Sequence, residues 1–152
     1  MNLDKADIRR ATNVKCARRK ETGAALVEFA LILPLLLLLL FGIVEFSIAL
    51  YDKAVLTNAS REAARAGVVY KVPQPTVAQI QAVATNYVQN HLITFGTGSS
   101  VSVNVSQPSG TTSGSPLTVT VSYTYAGLTL GKSFNPIPKA LQLSATTSMN
   151  YE

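Results

Sequence analysis

Two carboxylates, Glu28 and Glu45, interrupt a stretch that is otherwise uncharged from Ala24 to Leu50. A carboxylate held at mid-bilayer costs several kcal/mol, roughly 2.5–3.5 on insertion scales, so an acid in such a stretch usually has a task. Glu28 lies five residues after Gly23, and Gly23 closes a short basic leader. Glu45 falls towards the far end of the stretch, where hydration makes a carboxylate cheap, and its expected position is the outer membrane interface. Elsewhere the chemistry is sparse. From Lys71 to Tyr151 there is no acid, and His91 is the only histidine. That histidine has no Cys, Asp or Glu near it in sequence, so it is a poor metal ligand or general base and fits a helix-end role. With no carboxylate pair, triad or ligand cluster after residue 70, hydrolytic chemistry of familiar kinds is excluded, and no metal or cofactor is expected.

The elements that must position these residues separate by composition into residues 1–23, 24–50, 51–70 and 71–152. The leader, 1–23, carries seven of the thirteen cations and three of the eight acids. Its net charge is therefore +4, and it is expected to be unstructured in water. The remaining residues are close to neutral, which leaves no basic stripe for nucleic acid. Cys16, the only cysteine, lies in the leader ahead of the apolar stretch. No intrachain disulfide can form, and a lipoprotein arrangement does not fit.

Ala24–Leu50, 27 residues, would extend about 40 Å as a helix, enough to cross a bilayer with tilt. The basic leader favours a cytoplasmic N-terminus, so residues after Tyr51 are expected on the far side of the inner membrane. Pro34 is tolerated in such a helix and kinks it. The helix should continue to about Val69, with Ala54, Ala59, Ala63, Ala66 and Gly67 at helical spacing. Small residues at these intervals admit a second helix closely, or serve only as good helix formers on a solvated face. Both readings fit the residues.

Lys71–Thr76 is a breaker with two prolines. Thr76 is an N-cap candidate for a helix to about His91, with Val77, Ile80, Ala84, Tyr87, Val88 and Leu92 on one face. Gly96–Ser100 reads as a turn. Three alternations follow, predicting half-buried strands: Val101, Val103, Val105; then Leu117, Val119, Val121, Tyr123, Tyr125; then Leu141, Leu143, Ala145, Thr147, Met149, Tyr151. A connection with Pro136 and Pro138 precedes the third. The predicted fold is α+β: a long N-terminal helix, transmembrane in its first half, then one helix on a three-stranded antiparallel sheet. A domain of this size is marginal alone, so the end of the long helix is expected to pack on it. Tyr123 and Tyr125 are expected in its core.

Gly23-Ala24-Ala25-Leu26-Val27-Glu28-Phe29 resembles a type IV prepilin processing site. Ala24 to Pro34 is similar to the opening of the TadE-like family, pseudopilins of the tight-adherence (Tad/Flp) pilus system. So is Asn58-Ala59-Ser60-Arg61-Glu62-Ala63-Ala64-Arg65-Ala66-Gly67. The resemblance spans about Thr22 to Val69 and implies cleavage between Gly23 and Ala24 by a prepilin peptidase. Glu28 would then be the fifth residue of the mature chain, followed by Phe29. The new α-amine of Ala24, a cation at neutral pH, would be neutralised by Glu28 of its own or a neighbouring subunit. The implied partners are the inner membrane, the peptidase, other pilins or pseudopilins, the pilus ATPase and the assembly platform; no nucleic acid or small-molecule substrate is implied. The implied role is a minor pilin or pseudopilin of a Tad (type IVc) pilus or related type II/IV secretion machinery, serving pilus assembly, surface adhesion and biofilm formation. The length argues against the larger TadG type and leaves TadE and TadF unresolved. An alternative is a secreted or membrane-anchored binding domain released by ordinary signal peptidase, for which Ser47-Ile48-Ala49 offers a small-x-small site.

Overall fold

The computed structural model describes residues 5–94, 100–127 and 141–152, with side chains from residue 23 onward. In chain order the elements are α1 (Lys5–Val68), α2 (Val77–His91), β1 (Val101–Ser106), β2 (Pro116–Tyr125) and β3 (Leu141–Asn150). The chain divides into two units, Met1–Phe41 and Gly42–Glu152, each described by itself below.

The first unit is helix throughout its described length. α1 begins at Lys5, which corrects the expectation of an unstructured leader. No glycine or proline occurs between Lys5 and Thr22, and its Ala, Lys and Arg residues are good helix formers. Helix continues through Pro34. From Leu26 to Phe41 the large apolar side chains lie exposed, apart from a half-buried Leu33.

In the second unit, α1 carries a buried stripe: Glu45, Ala49, Asp52, Leu56, Ala59, Ser60, Ala63, Ala64 and Val68. The steps of three and four keep these residues on one helix face. That face meets the sheet. Ser60 shares a hydroxyl hydrogen bond of 2.7 Å with Thr147, and the Lys53 ammonium donates to the carbonyl of Ser144 on β3. The small-residue stripe is thus covered by the chain's own sheet and α2.

The sheet is antiparallel in the order β1-β2-β3. β2, the central strand, buries every odd position from Leu117 to Tyr125 as its alternation predicts. Tyr123 and Tyr125 lie in the core, edge to face at 6.5 Å. The opposite face is uncharged and hydroxylated. Thr118–Ser148, Thr120–Thr146 and Thr124–Gln142 pair across the strands by side-chain hydrogen bonds. Both sheet edges meet a helix side chain, which hinders further strand pairing: Lys53 reaches β3, and Gln81 donates to the Val103 carbonyl on β1. At the strand ends the alternation fails. Val101 and Leu141 occupy core-facing register positions yet are exposed, Val101 in a cleft beside the last turns of α2. The turn expected at Gly96–Ser100 lies almost wholly outside the described residues, as do Pro136 and Pro138.

α2 starts as its capping residues dictate. Thr76 accepts the Gln79 backbone N–H, and the Gln79 side chain accepts the Thr76 N–H in return. Ile80, Ala84 and Val88 are buried, whereas Val77 is exposed. Thr76→Ala should lower stability by about 1 kcal/mol, the usual value of such a cap. Urea unfolding of the full chain in detergent, followed by tyrosine fluorescence because there is no tryptophan, measures it. An unchanged midpoint would show that the box contributes nothing.

Candidate functional site

The motif Gly23–Phe29 lies on α1 in the first unit, with every side chain exposed. Gly23 is surrounded by open space: a Cβ placed there would meet nothing within 4 Å. Glycine inside a helix costs about 1 kcal/mol relative to alanine, and nothing in the described structure requires it there. Glu28 and Phe29 follow on the next turn, also exposed, and Pro34 lies beyond them on the same helix. Within Gly23–Val68 there is an 18-residue apolar window, none of it buried. A contiguous apolar surface of this extent is foreign to soluble monomers and is compatible with membrane anchoring.

The second group of predicted residues lies in the other unit. Ala59, Ala63 and Gly67 are buried and Ala66 is half-buried. Gly67 is a true close approach. A Cβ there would sit 2.5 Å from Leu117 Cδ2 and 2.8 Å from Ile80 Cδ1. The absence of a side chain lets α1, α2 and β2 meet at one point.

Glu45 corrects an expectation. Instead of facing hydrated headgroups it is 2% exposed, on the helix face turned to the domain. The i, i+7 spacing places Asp52 on the same face, fully buried, where its Oδ1 accepts the Ile93 N–H at 3.1 Å. Burial, and next the charges of Glu45, Asp52 and the neighbouring Tyr123, push the Tyr125 hydroxyl above its ordinary range. Tyr125 therefore stays protonated at any physiological pH. The signal available in sequence was the seven-residue spacing of the two acids, which places them together without saying what covers them.

His91 is exposed at the end of α2. Its Nδ1 bonds the Tyr87 carbonyl at 2.8 Å, and its ring stacks on Tyr87 at 4.4 Å. Among the described residues no three His, Cys, Asp or Glu side chains gather as a metal site requires.

An exposed helical glycine with no packing partner, a glutamate one turn later and a lipid-length apolar surface coincide with a family match. Residues 23–65 match the TadE-like protein family. Over this stretch the chain is similar to TadE-like proteins. No curated protein and no solved structure matches the chain. The TadE-like stretch starts at the glycine and ends two residues before Gly67, so it holds Glu28, Phe29, Pro34, Ala59 and Ala63. The match supports a Tad pilus-associated protein in general, and the family it matches is a structural one. Residues beyond 65 lie outside it.

Proposed function

We propose that this chain is a minor pilin or pseudopilin of a Tad (type IVc) pilus or related secretion machinery, cut after Gly23 by a prepilin peptidase. It is anchored by a single pass with its N-terminus cytoplasmic and residues 71–152 exported, and it supports pilus assembly and surface adhesion. Its partners are the peptidase, other pilins and the assembly platform in the inner membrane. The observation that carries this reading is Gly23: a glycine that packing does not require, at the first residue of the family match. A peptidase that must bring the chain into its own active site has a use for such a residue, because the missing side chain lets the backbone approach closely. Cleavage there would expose the α-amine of Ala24, a cation for Glu28 to neutralise.

The test is the intact mass and N-terminal sequence of the protein taken from membranes of its native host. A chain beginning at Ala24 is expected, and Gly23→Ala is expected to accumulate with its leader attached. Normal maturation of that variant would sink the cleavage reading. A chain beginning at Leu50 would mean release after Ala49 by ordinary signal peptidase.

A further inference from the structure

Among the described residues of the second unit, the exposed apolar side chains fall into two groups. One follows the C-terminal end of α1: Val69, Tyr70, Val72 and Val77. The other surrounds the start of α1 in this unit. Here Ile43, Val44, Phe46, Leu50 and Tyr51 are exposed on the helix, while Glu45, Ala49 and Asp52 on its other side are buried against the domain.

The domain's own contribution at this level is fixed by three contacts. The Ile93 N–H is bonded to Asp52. Val101 is paired with Tyr123, and Leu141 with Tyr125, at the same end of the sheet. Leu92, Thr94, Val101 and Tyr123 line one cleft, which brings the end of α2 to the start of β1. Ile93, Val101 and Leu141 are 39%, 37% and 40% exposed. This end of the domain thus lies level with the start of α1 in this unit, across the helix from its apolar flank.

We propose that this end of the domain rests in the headgroup layer of the periplasmic leaflet, with Ile93, Val101 and Leu141 seated against lipid. The inference rests on the reading that the apolar stretch of α1 spans the membrane. Three observations favour lipid as the occupant. The Ile93 N–H meets Asp52, two residues past the outer end of the apolar stretch, so the patch lies at the level where that stretch ends. The two acids at this level, Glu45 and Asp52, are turned inward and buried. No other acid occurs from Lys71 to Tyr151, so nothing there repels anionic headgroups. The far group is excluded by distance: Tyr51 to Val68 spans about 26 Å along a helix axis, beyond the headgroup layer. Interfacial seating of this kind needs apolar side chains at the lipid boundary and no deep insertion.

The test uses the full chain carrying Cys16→Ser, reconstituted in phosphatidylethanolamine/phosphatidylglycerol vesicles. Single cysteines replace Ile93, Val101 or Leu141, with Leu36 and Val72 as references, each labelled with an environment-sensitive fluorophore. Nitroxides are carried at the lipid headgroup or high on the acyl chain. Quenching at 93, 101 and 141 should exceed that at 72, which is 84% exposed in the native chain, by severalfold. Quenching no greater than at 72, with the label at 36 quenched by chain-borne nitroxide, would overturn this inference and leave the membrane span standing. Absence of quenching at 36 would overturn both. Labels shielded from aqueous iodide yet unquenched by lipid would assign the patch to a second copy of the chain instead, and would equally overturn the proposal. The labelled sites are already exposed, so the variants should fold; near-ultraviolet dichroism of the buried tyrosines verifies this independently.

Discussion

Glu28→Ala should yield a chain that is still cut after Gly23 but supports at least tenfold fewer surface fibres. The motif side chains are exposed on a helix with no neighbour to pair them within the described residues of their unit. Once in hydrocarbon, a lone carboxylate costs about 2.5–3.5 kcal/mol on insertion scales. The cheapest remedy is a cation at the same depth, and cleavage before Ala24 would make one, an α-amine with an ordinary pKa of about 7.7–8.0. If pairing with a neighbouring subunit is worth about 1.4 kcal/mol or more, its loss lowers the docking equilibrium by about tenfold. Glu28→Gln keeps the shape and loses the charge, so it should behave like alanine, whereas Glu28→Asp should recover part of the output. Immunoblotting for mature protein, together with quantified sheared fibres, separates the two steps. Full fibre output from Glu28→Ala would make the acid incidental. Loss of processing as well would place its role in peptidase recognition.

What could be read from the sequence follows from how local each feature is. The odd positions of β2 and the Thr76 cap are decided within a few residues, by period-two alternation and by one side chain three residues from its partner. Both appear as expected. Leu141 and Val101 obey the same alternation but are exposed, and no local pattern reports which positions of a strand face are covered. Glu45 is a stronger case. It is buried close enough to Tyr125 of β2 to act on that hydroxyl, although the two are far apart in sequence. The small-residue stripe fitted a close-packing surface and a solvated face of good helix formers equally, and nothing in it named an occupant. Ala59, Ala63 and Gly67 would look the same beneath a sheet or against another helix. The glycine and glutamate of the N-terminal motif stand out in the sequence for the opposite reason. Packing leaves Gly23 unexplained, and its pattern stands out from the helix around it.

Gly67 is where packing should decide the outcome most sharply. Alanine there would gain about 1 kcal/mol of helix propensity over glycine, but its Cβ would lie 2.5 Å from Leu117 and 2.8 Å from Ile80. Both neighbours are essentially fully buried and have little free space to move into. Overpacking of this kind costs about 1–3 kcal/mol, so Gly67→Ala should be neutral to moderately destabilising. Gly67→Leu adds three more carbons at the junction of α1, α2 and β2 and has no propensity gain beyond alanine's. Small domains have only about 5–15 kcal/mol of stability in total, and a substitution that pries two helices from the central strand should remove most of it. The expected result is rapid proteolysis of residues 71–152 in Gly67→Leu, with a urea midpoint far below that of the parent chain. Gly42 provides the contrast, since a Cβ there meets nothing within 4 Å; Gly42→Ala should leave protease resistance unchanged. A Gly67→Leu chain as resistant as the parent would mean that Leu117 and Ile80 can yield. The close approach of α1 to the sheet would then be a consequence of the glycine and not a condition of the fold.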